Sequence, residues 1–231
     1  MTPRSTGGPR GPMNLDSIRR SVQHFGVAGT LYDLAYRGIN VVILFKVLKG
    51  VVIERVDPAY LACDARFRCS FLEPERLRAL GRDPANGMSP AFLDEALAKG
   101  DECYAIMEGD AIASYGWYAR TPTAIDPPDL RLHFNAGYVY MYKGFTPPKY
   151  RGQRLHAIGM TRALESYLSR GCKGLVSYVE ANNFGSLKSV YRMGYVDIGR
   201  ITLARFAGRY LTRAGRGCRA YGFRVEPIIP A

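Results

Sequence analysis

Two short stretches of this 231-residue chain carry side chains whose types and spacing suit phosphate binding beside a sheet edge. The first reads Pro147-Pro-Lys-Tyr-Arg-Gly-Gln-Arg-Leu-His156 and runs into an expected helix. A helix start leaves backbone N–H groups unpaired and carries partial positive charge, so it holds phosphate oxygens. Arg151 and Arg154 add planar guanidinium groups that fit the same oxygens. A basic helix start on an ordinary surface would read the same way. The second stretch reads Val179-Glu-Ala-Asn-Asn-Phe-Gly-Ser-Leu-Lys-Ser-Val-Tyr-Arg-Met-Gly-Tyr195. A strand ends at Asn182-Asn183, a short helix follows, and Met193-Gly194-Tyr195 turns the chain into another strand. The asparagines fall just past a strand's carboxyl end, where open α/β sheets bind ligands. An asparagine there also serves simply to cap the helix.

Taken in order, the two stretches resemble the GNAT superfamily of acyl-CoA-dependent N-acyltransferases, over about residues 100–206. In that family the second motif runs Asn-x-x-Ala/Ser and then Lys/Arg-x-Gly-Phe/Tyr. Asn183, Ser186, Arg192, Gly194 and Tyr195 occupy those positions without a gap, and Tyr150-Arg151-Gly152 matches the usual lead-in to the first motif. The resemblance implies an α/β fold with a mixed, mostly antiparallel central sheet, a parallel strand pair at the acyl-CoA site, and flanking helices. It implies that Arg151, Gly152, Gln153, Arg154, Leu155, His156 and Ala157 form the turn that holds the CoA pyrophosphate. Phe145 and Thr146 would bond the pantetheine arm, and Asn183 would lie beside it. The implied activity is transfer of an acetyl or longer acyl group from acetyl-CoA, or another acyl-CoA, to an amine acceptor.

The chain departs from the family pattern in two places. Where the family signature has small residues, this sequence has Arg154 and His156. Glycine there lets the backbone approach phosphate closely, so these two side chains must turn away or replace part of that contact. An acidic acyl-carrier protein is therefore a second candidate donor. Many members also place a tyrosine seven residues after the asparagine to protonate the leaving thiolate; here that position is Val190, and Tyr191 comes one residue later. One residue is about 100° around a helix, so Tyr191 is a displaced candidate acid or a packed surface tyrosine. Thiolate leaves acceptably without an acid, because its pKa lies near 8.5. The strand over 137–145 offers no carboxylate as general base, only Tyr138, Tyr140 and Tyr142 at period two with Lys143. Glu180, at a strand's carboxyl end, is the leading candidate, ahead of His133 and Glu108; deprotonation by water is the alternative.

Local signals name the elements that must position these residues. Capping residues at Asn14-Leu-Asp-Ser introduce a helix to about residue 25, and a second helix covers 27–37. The β-branched run over 41–56 reads as one or two strands broken at Lys49-Gly50, with an interfacial amphipathic segment as its rival. Short helices are expected over 58–68, 73–80 and 89–99, the last with Ser89 as cap and Pro90 at its first position. Residues 103–118 form two strands around a Glu108-Gly109-Asp110 turn, and 121–129 a loop. A strand (137–145), a helix (153–169), a strand (174–180) and a helix (185–192) follow, then strands over 195–206 and 218–225 around a flexible Gly- and Arg-rich loop. The expected organisation is a disordered tail (1–13), an N-terminal helical and apolar extension (14–53) and an acyltransferase domain (54–231).

Composition narrows the partners. With 47% apolar and 23% charged residues the chain is globular in character. Its net charge of +12 is uneven: +5 over 1–53, −6 over 54–129 and +13 over 130–231, where seventeen Lys/Arg face four acids. Anionic partners belong at that end, among them the acyl-CoA, an acyl-carrier protein, nucleic acid and an anionic membrane surface. A non-catalytic module binding nucleic acid or membrane is the rival to an enzyme. Eight arginines from Arg192 to Arg224 interleave with Phe206, Tyr210, Tyr221 and Phe223; a solvated basic loop is their plain reading. Five scattered cysteines without a Cys-x-x-Cys pair, and three histidines, point to reduced thiols, a cytoplasmic setting and no metal. No apolar run is long enough to span a bilayer. Membrane association through 14–53 and a homodimer remain partner expectations, and the acceptor is not readable.

Overall fold

The structure, a computed structural model, describes residues 15–42 and 44–228. The expected tail at 1–13 and the capping role of Asn14 lie outside the described residues. Helix α1 (Leu15–Val42) is kinked at Gly26, whose φ of 74° suits glycine alone, so the two expected helices are there, the second running on past Gly38. Strand β1 (Leu44–Ile53) is one strand, and its irregularity at Gly50 is a register shift against its neighbour. Residues 58–68 are not a helix: Asp57 caps a single 3-10 turn at Pro58–Tyr60, and Phe67–Phe71 forms β2. Helices α2 (Pro74–Gly81) and α3 (Pro90–Ala98) follow, the latter capped by Ser89 Oγ accepting from Phe92 N. The hairpin β3 (Glu102–Glu108) and β4 (Ala111–Ala119) turns at Gly109 as expected. The expected loop at 121–129 contains a short strand, β5 (Thr123–Ile125), and β6 (Leu130–His133) pairs with it.

The second half is β7 (Tyr138–Phe145), α4 (Leu155–Ser169), β8 (Gly174–Glu180), α5 (Phe184–Arg192), β9 (Val196–Phe206), β10 (Arg209–Ala214), α6 (Arg216–Ala220) and β11 (Arg224–Pro227). The expected Arg-rich loop is thus a hairpin, β9–β10, whose turn places Ala207 and Gly208 at positive φ. The strand expected over 218–225 starts only at Arg224, because residues 216–220 coil into α6.

One eight-stranded sheet orders as β10-β9-β1-β8-β7-β4-β3-β2, and β11-β6-β5 form a small second sheet. Among the described residues only β7 and β8 pair in parallel. Strand β1 lies between β8 and β9, so residues 44–53 of the expected extension are part of the central sheet. The interfacial reading of 41–56 is thereby replaced: Lys46 is ion-paired to Glu180 and Asp126, and Lys49 to Asp197. Side chains alternate across each strand, which divides the core in two. Helix α4 buries Met160, Ala163, Leu164 and Tyr167, a 3.6-period stripe, against Val51, Val139 and Leu175 on one face. On the other face Leu48, Tyr140 and Val176 meet the small sheet, while Trp117 and Tyr115 meet α2 and α3. Each such aliphatic side chain contributes about 1.5–3 kcal/mol on burial.

Candidate active site

Strands β7 and β8 are partners only briefly. Tyr138–Tyr140 pair with Gly174–Val176, and beyond that the two strands continue without each other. At the parting, Ser177 Oγ donates to the Met141 carbonyl at 2.7 Å. The cause lies on the other side of β7. Trp117 of β4 pairs with Lys143 and Tyr118 with Met141, so Tyr142 is an extra residue, a β-bulge. A bulge bends its strand and leaves one residue out of the ladder. Strand β8 meanwhile stays with β1 to its end, where Leu48 faces Glu180. The result is a fork in the sheet, lined by backbone of residues 141–145 and 177–180.

The first motif sits at the mouth of this fork. After β7, a 3-10 turn at Pro148–Tyr150 leads to Gly152 (φ 83°) and Arg154 (φ 59°), and α4 starts at Leu155. Helix α4 gets no side-chain cap from its N-cap residue, Arg154. Its first-turn N–H groups are thus left to a ligand or water. Arg151 Nε donates to the Thr146 carbonyl at 3.2 Å, and Arg66 donates to Gln153 Oε1 at 2.6 Å. The Arg154 side chain is exposed. His156 instead turns toward β7: a Cβ on Gly144 would lie only 2.5 Å from its Cε1. Burial lowers the His156 pKa to about 4, so its ring is neutral at pH 7. Of the two large residues at these positions, Arg154 is exposed and His156 is seated on Gly144.

The second motif contributes Asn183, whose Oδ1 accepts from Ser186 N at 3.2 Å and caps α5. Its neighbour Asn182 is buried and donates to Asp33 of α1 at 3.0 Å. Tyr191 does not reach the fork. Its hydroxyl lies 3.3 Å from Asp197 on β9, two strands beyond β8. Phe145 ends β7 and Thr146 follows it; Ser114 Oγ of β4 donates to the Phe145 carbonyl at 3.2 Å and lies 3.0 Å from Thr146 Oγ1.

The candidate bases separate. His133 lies against Glu226 on the small sheet at 3.1 Å. Glu108 accepts from Tyr150 at 2.6 Å, under the α4 loop. Glu180 is at the fork, held by Lys46 at 2.9 Å. Burial works against the Lys46 charge, yet Glu180 and Asp126 outweigh it and its pKa is raised.

The sequence gives no sign of a further carboxylate, Asp101. Its side chain is fully buried beneath the bulge; Oδ2 accepts from Tyr142 Oη at 2.8 Å and from Lys99 Nζ at 3.0 Å. Its Oδ1 has no hydrogen-bond partner among the described residues. Burial raises the Asp101 pKa despite both donors. Tyr142 stacks on Tyr140, and Tyr140 on Tyr178 across the parallel pair, at 5.9 and 6.2 Å between ring centres. This aromatic ladder, with Asp101 at one end and Glu180 on β8 at the other, lines the face of the fork opposite α4.

Two arginines of the Arg-rich end are engaged locally. Arg219 donates to the Ala214 carbonyl at 2.6 Å and Arg224 pairs with Glu226 at 2.9 Å. With His133, Phe134 and Phe223 they border an open cleft of about 630 Å³.

No protein-family model matches this chain, and no curated protein does. Solved structures resemble it in fold. An acetyltransferase from the GNAT family of Colwellia psychrerythraea is 15% identical; the match covers 75% of this chain and 62% of that one, with a TM-score of 0.48. A GCN5-related N-acetyltransferase-like protein from Streptococcus suis is 14% identical, covering 80% and 68%, with a TM-score of 0.47. A Bacillus subtilis acetyltransferase solved in complex with CoA is 17% identical, covering 55% and 75%, with a TM-score of 0.40. This chain spans less than two thirds of the Colwellia protein's length. The mixed sheet itself, parallel at β7–β8 and flanked by helices, is the architecture that the motif resemblance implies.

Proposed function

We propose that this chain is a GNAT-superfamily acyltransferase that moves an acetyl or longer acyl group from acyl-CoA to an amine by direct attack in a ternary complex. The observation that carries this reading is the fork between β7 and β8, opening beside an uncapped, arginine-flanked helix start. The N–H groups of Leu155, His156 and Ala157, with Arg151 and Arg154, would hold the donor's diphosphate. The backbone of Phe145 and Thr146 would pair with the pantetheine arm as a strand would, and Asn183 would stand beside it at the β8 side.

At the fork the thioester carbonyl would meet β7 backbone N–H groups, including that of the bulged Tyr142. Donors preset toward a developing oxyanion supply much of the rate in acyl transfer. The neutral amine attacks the carbonyl carbon, the C–S bond breaks, and the thiolate takes up a proton to leave as CoA-SH. We assign the amine's proton to Asp101, relayed through the Tyr142 hydroxyl, with Glu180 as the second acceptor at the fork. Tyr191 has no part in this scheme.

Calorimetric titration with acetyl-CoA tests the reading. Binding that weakens on Arg151→Ala and Arg154→Ala supports it. Absence of binding to any acyl-CoA or acyl-carrier protein refutes it, and binding to the carrier alone reassigns the donor.

A further inference from the structure

Helix α1 is turned inside out. Beyond its kink, polar groups tie the helix to the domain: Asp33 accepts from Asn182, the Tyr36 hydroxyl accepts from Val47 N at 3.0 Å, and Asn40 exchanges two hydrogen bonds with the Phe45 backbone at 2.6 and 2.9 Å, while the Tyr32 and Tyr36 rings lie near Phe184 and Phe45. The opposite stripe, spaced four residues apart, is Val27, Leu31, Ala35 and Ile39, and all four are exposed. Val27 and Leu31 leave 63% and 59% of their surface in water. An amphipathic helix normally buries such a stripe. Here the polar face is used for docking, because β1 and Asn182 present backbone and amide groups that need partners.

A second apolar patch lies on the same side of the sheet. Ala204 of β9 is the cross-strand partner of both Phe45 and Leu211, so those side chains share one face. The Phe45 ring packs 6.4 Å from that of Tyr36, which places α1 over that face. Phe206 and Leu211, 70% and 66% exposed, therefore project on the α1 side. Arg209 and Arg213 alternate with Leu211 along β10 and share its direction.

We infer that the outward stripe of α1 and the β9–β10 hairpin together form a docking surface for an anionic lipid bilayer. Exposed apolar side chains interleaved with arginines match an interface with an apolar interior and negative headgroups. A second copy of the chain fits poorly, since a two-fold contact would set these arginines against each other. Residues 1–14 fit poorly too: they carry Arg4 and Arg10, no acid, and only Met1 and Met13 as large apolar side chains. No described helix is long and apolar enough to cross a membrane, so the contact is peripheral. The inference is independent of the acyltransferase reading.

Flotation of the full chain with phosphatidylcholine vesicles, with and without phosphatidylserine, tests it. Binding is expected on the anionic vesicles and should fall with salt. Leu31→Glu on the helix and, independently, Leu211→Glu on the hairpin should each weaken it by at least about 10-fold. Arg209→Ala with Arg213→Ala should weaken it by about 30-fold, at roughly 1 kcal/mol per arginine. All these positions are exposed, and unchanged thermal melting confirms the fold of each variant. Equal binding to neutral and anionic vesicles, no binding at all, or indifference to both glutamate substitutions overturns the inference. So does a wild-type dimer in light scattering that Leu31→Glu dissolves without any vesicle binding.

Discussion

Gly144 sits where β7 borders the fork, and the space a side chain would fill there is taken by His156. A Cβ on Gly144 would stand 2.5 Å from His156 Cε1, 3.1 Å from its Nδ1 and 3.1 Å from the Met141 methyl. Restoring ordinary contact demands a ring shift of about 1 Å. Gly144→Ala should therefore cost about 1–3 kcal/mol, the usual penalty for overpacking. For a chain of this size that is about 2–10 °C in Tm. His156→Ala alone should be mildly destabilising, by about 1–2 kcal/mol. In the double variant the new methyl enters the vacated space, so the two losses should not add: a coupling of at least about 1 kcal/mol is expected. Urea unfolding of the four proteins completes the cycle. Acyl-CoA titration adds a second readout, because a ring forced out of its seat swings toward the first turn of α4 and should weaken donor binding in Gly144→Ala but not in the double variant. Additivity within about 0.5 kcal/mol would refute the claim that the glycine makes room for the imidazole.

Three further outcomes follow from the same geometry. His156 has a folded-state pKa near 4, below its ordinary value of 6.5, so its burial favours folding above pH 6.5 and that contribution is lost as pH falls from 6.5 toward 4. The loss is at most about 3 kcal/mol, and unfolding of His156→Ala at several pH values should lack it. Asp101→Asn should lower kcat by about 10²–10⁴-fold with acyl-CoA affinity unchanged. Tyr142→Phe breaks the relay to the carboxylate and should lower kcat over the same range; full activity in that variant would exclude Asp101 as the base. Lys46→Met leaves Glu180 and Asp126 without their shared cation and should cost about 1–3 kcal/mol in chemical denaturation.

What could be read from the residues alone was local in origin. Ser89-Pro90 marks a capped helix, Glu108-Gly109-Asp110 a hairpin turn, and residues 153–169 a helix between two strands. The turn over 148–154 and the helix cap at Asn183 were legible for the same reason: each lies within a contiguous motif whose geometry is set by neighbours in the chain. The β9–β10 hairpin was missed because its Ala207-Gly208 turn lacks the usual Asn-Gly or Asp-Gly signal and its glycines and arginines resemble a solvated loop.

Tertiary structure alone decided three things. It set β1 between β8 and β9, a pairing across more than 120 residues that no local pattern encodes. It brought Asp101 under Tyr142, a contact between residues 41 apart in the chain that period-two reasoning along one strand does not anticipate. It also chose which side of α1 faces inward. Periodicity shows that a helix has an apolar stripe and a polar one. The surface it lands on decides which is buried, and here β1 and Asn182 offer hydrogen-bonding groups, so the polar stripe docks and the apolar one is left outside.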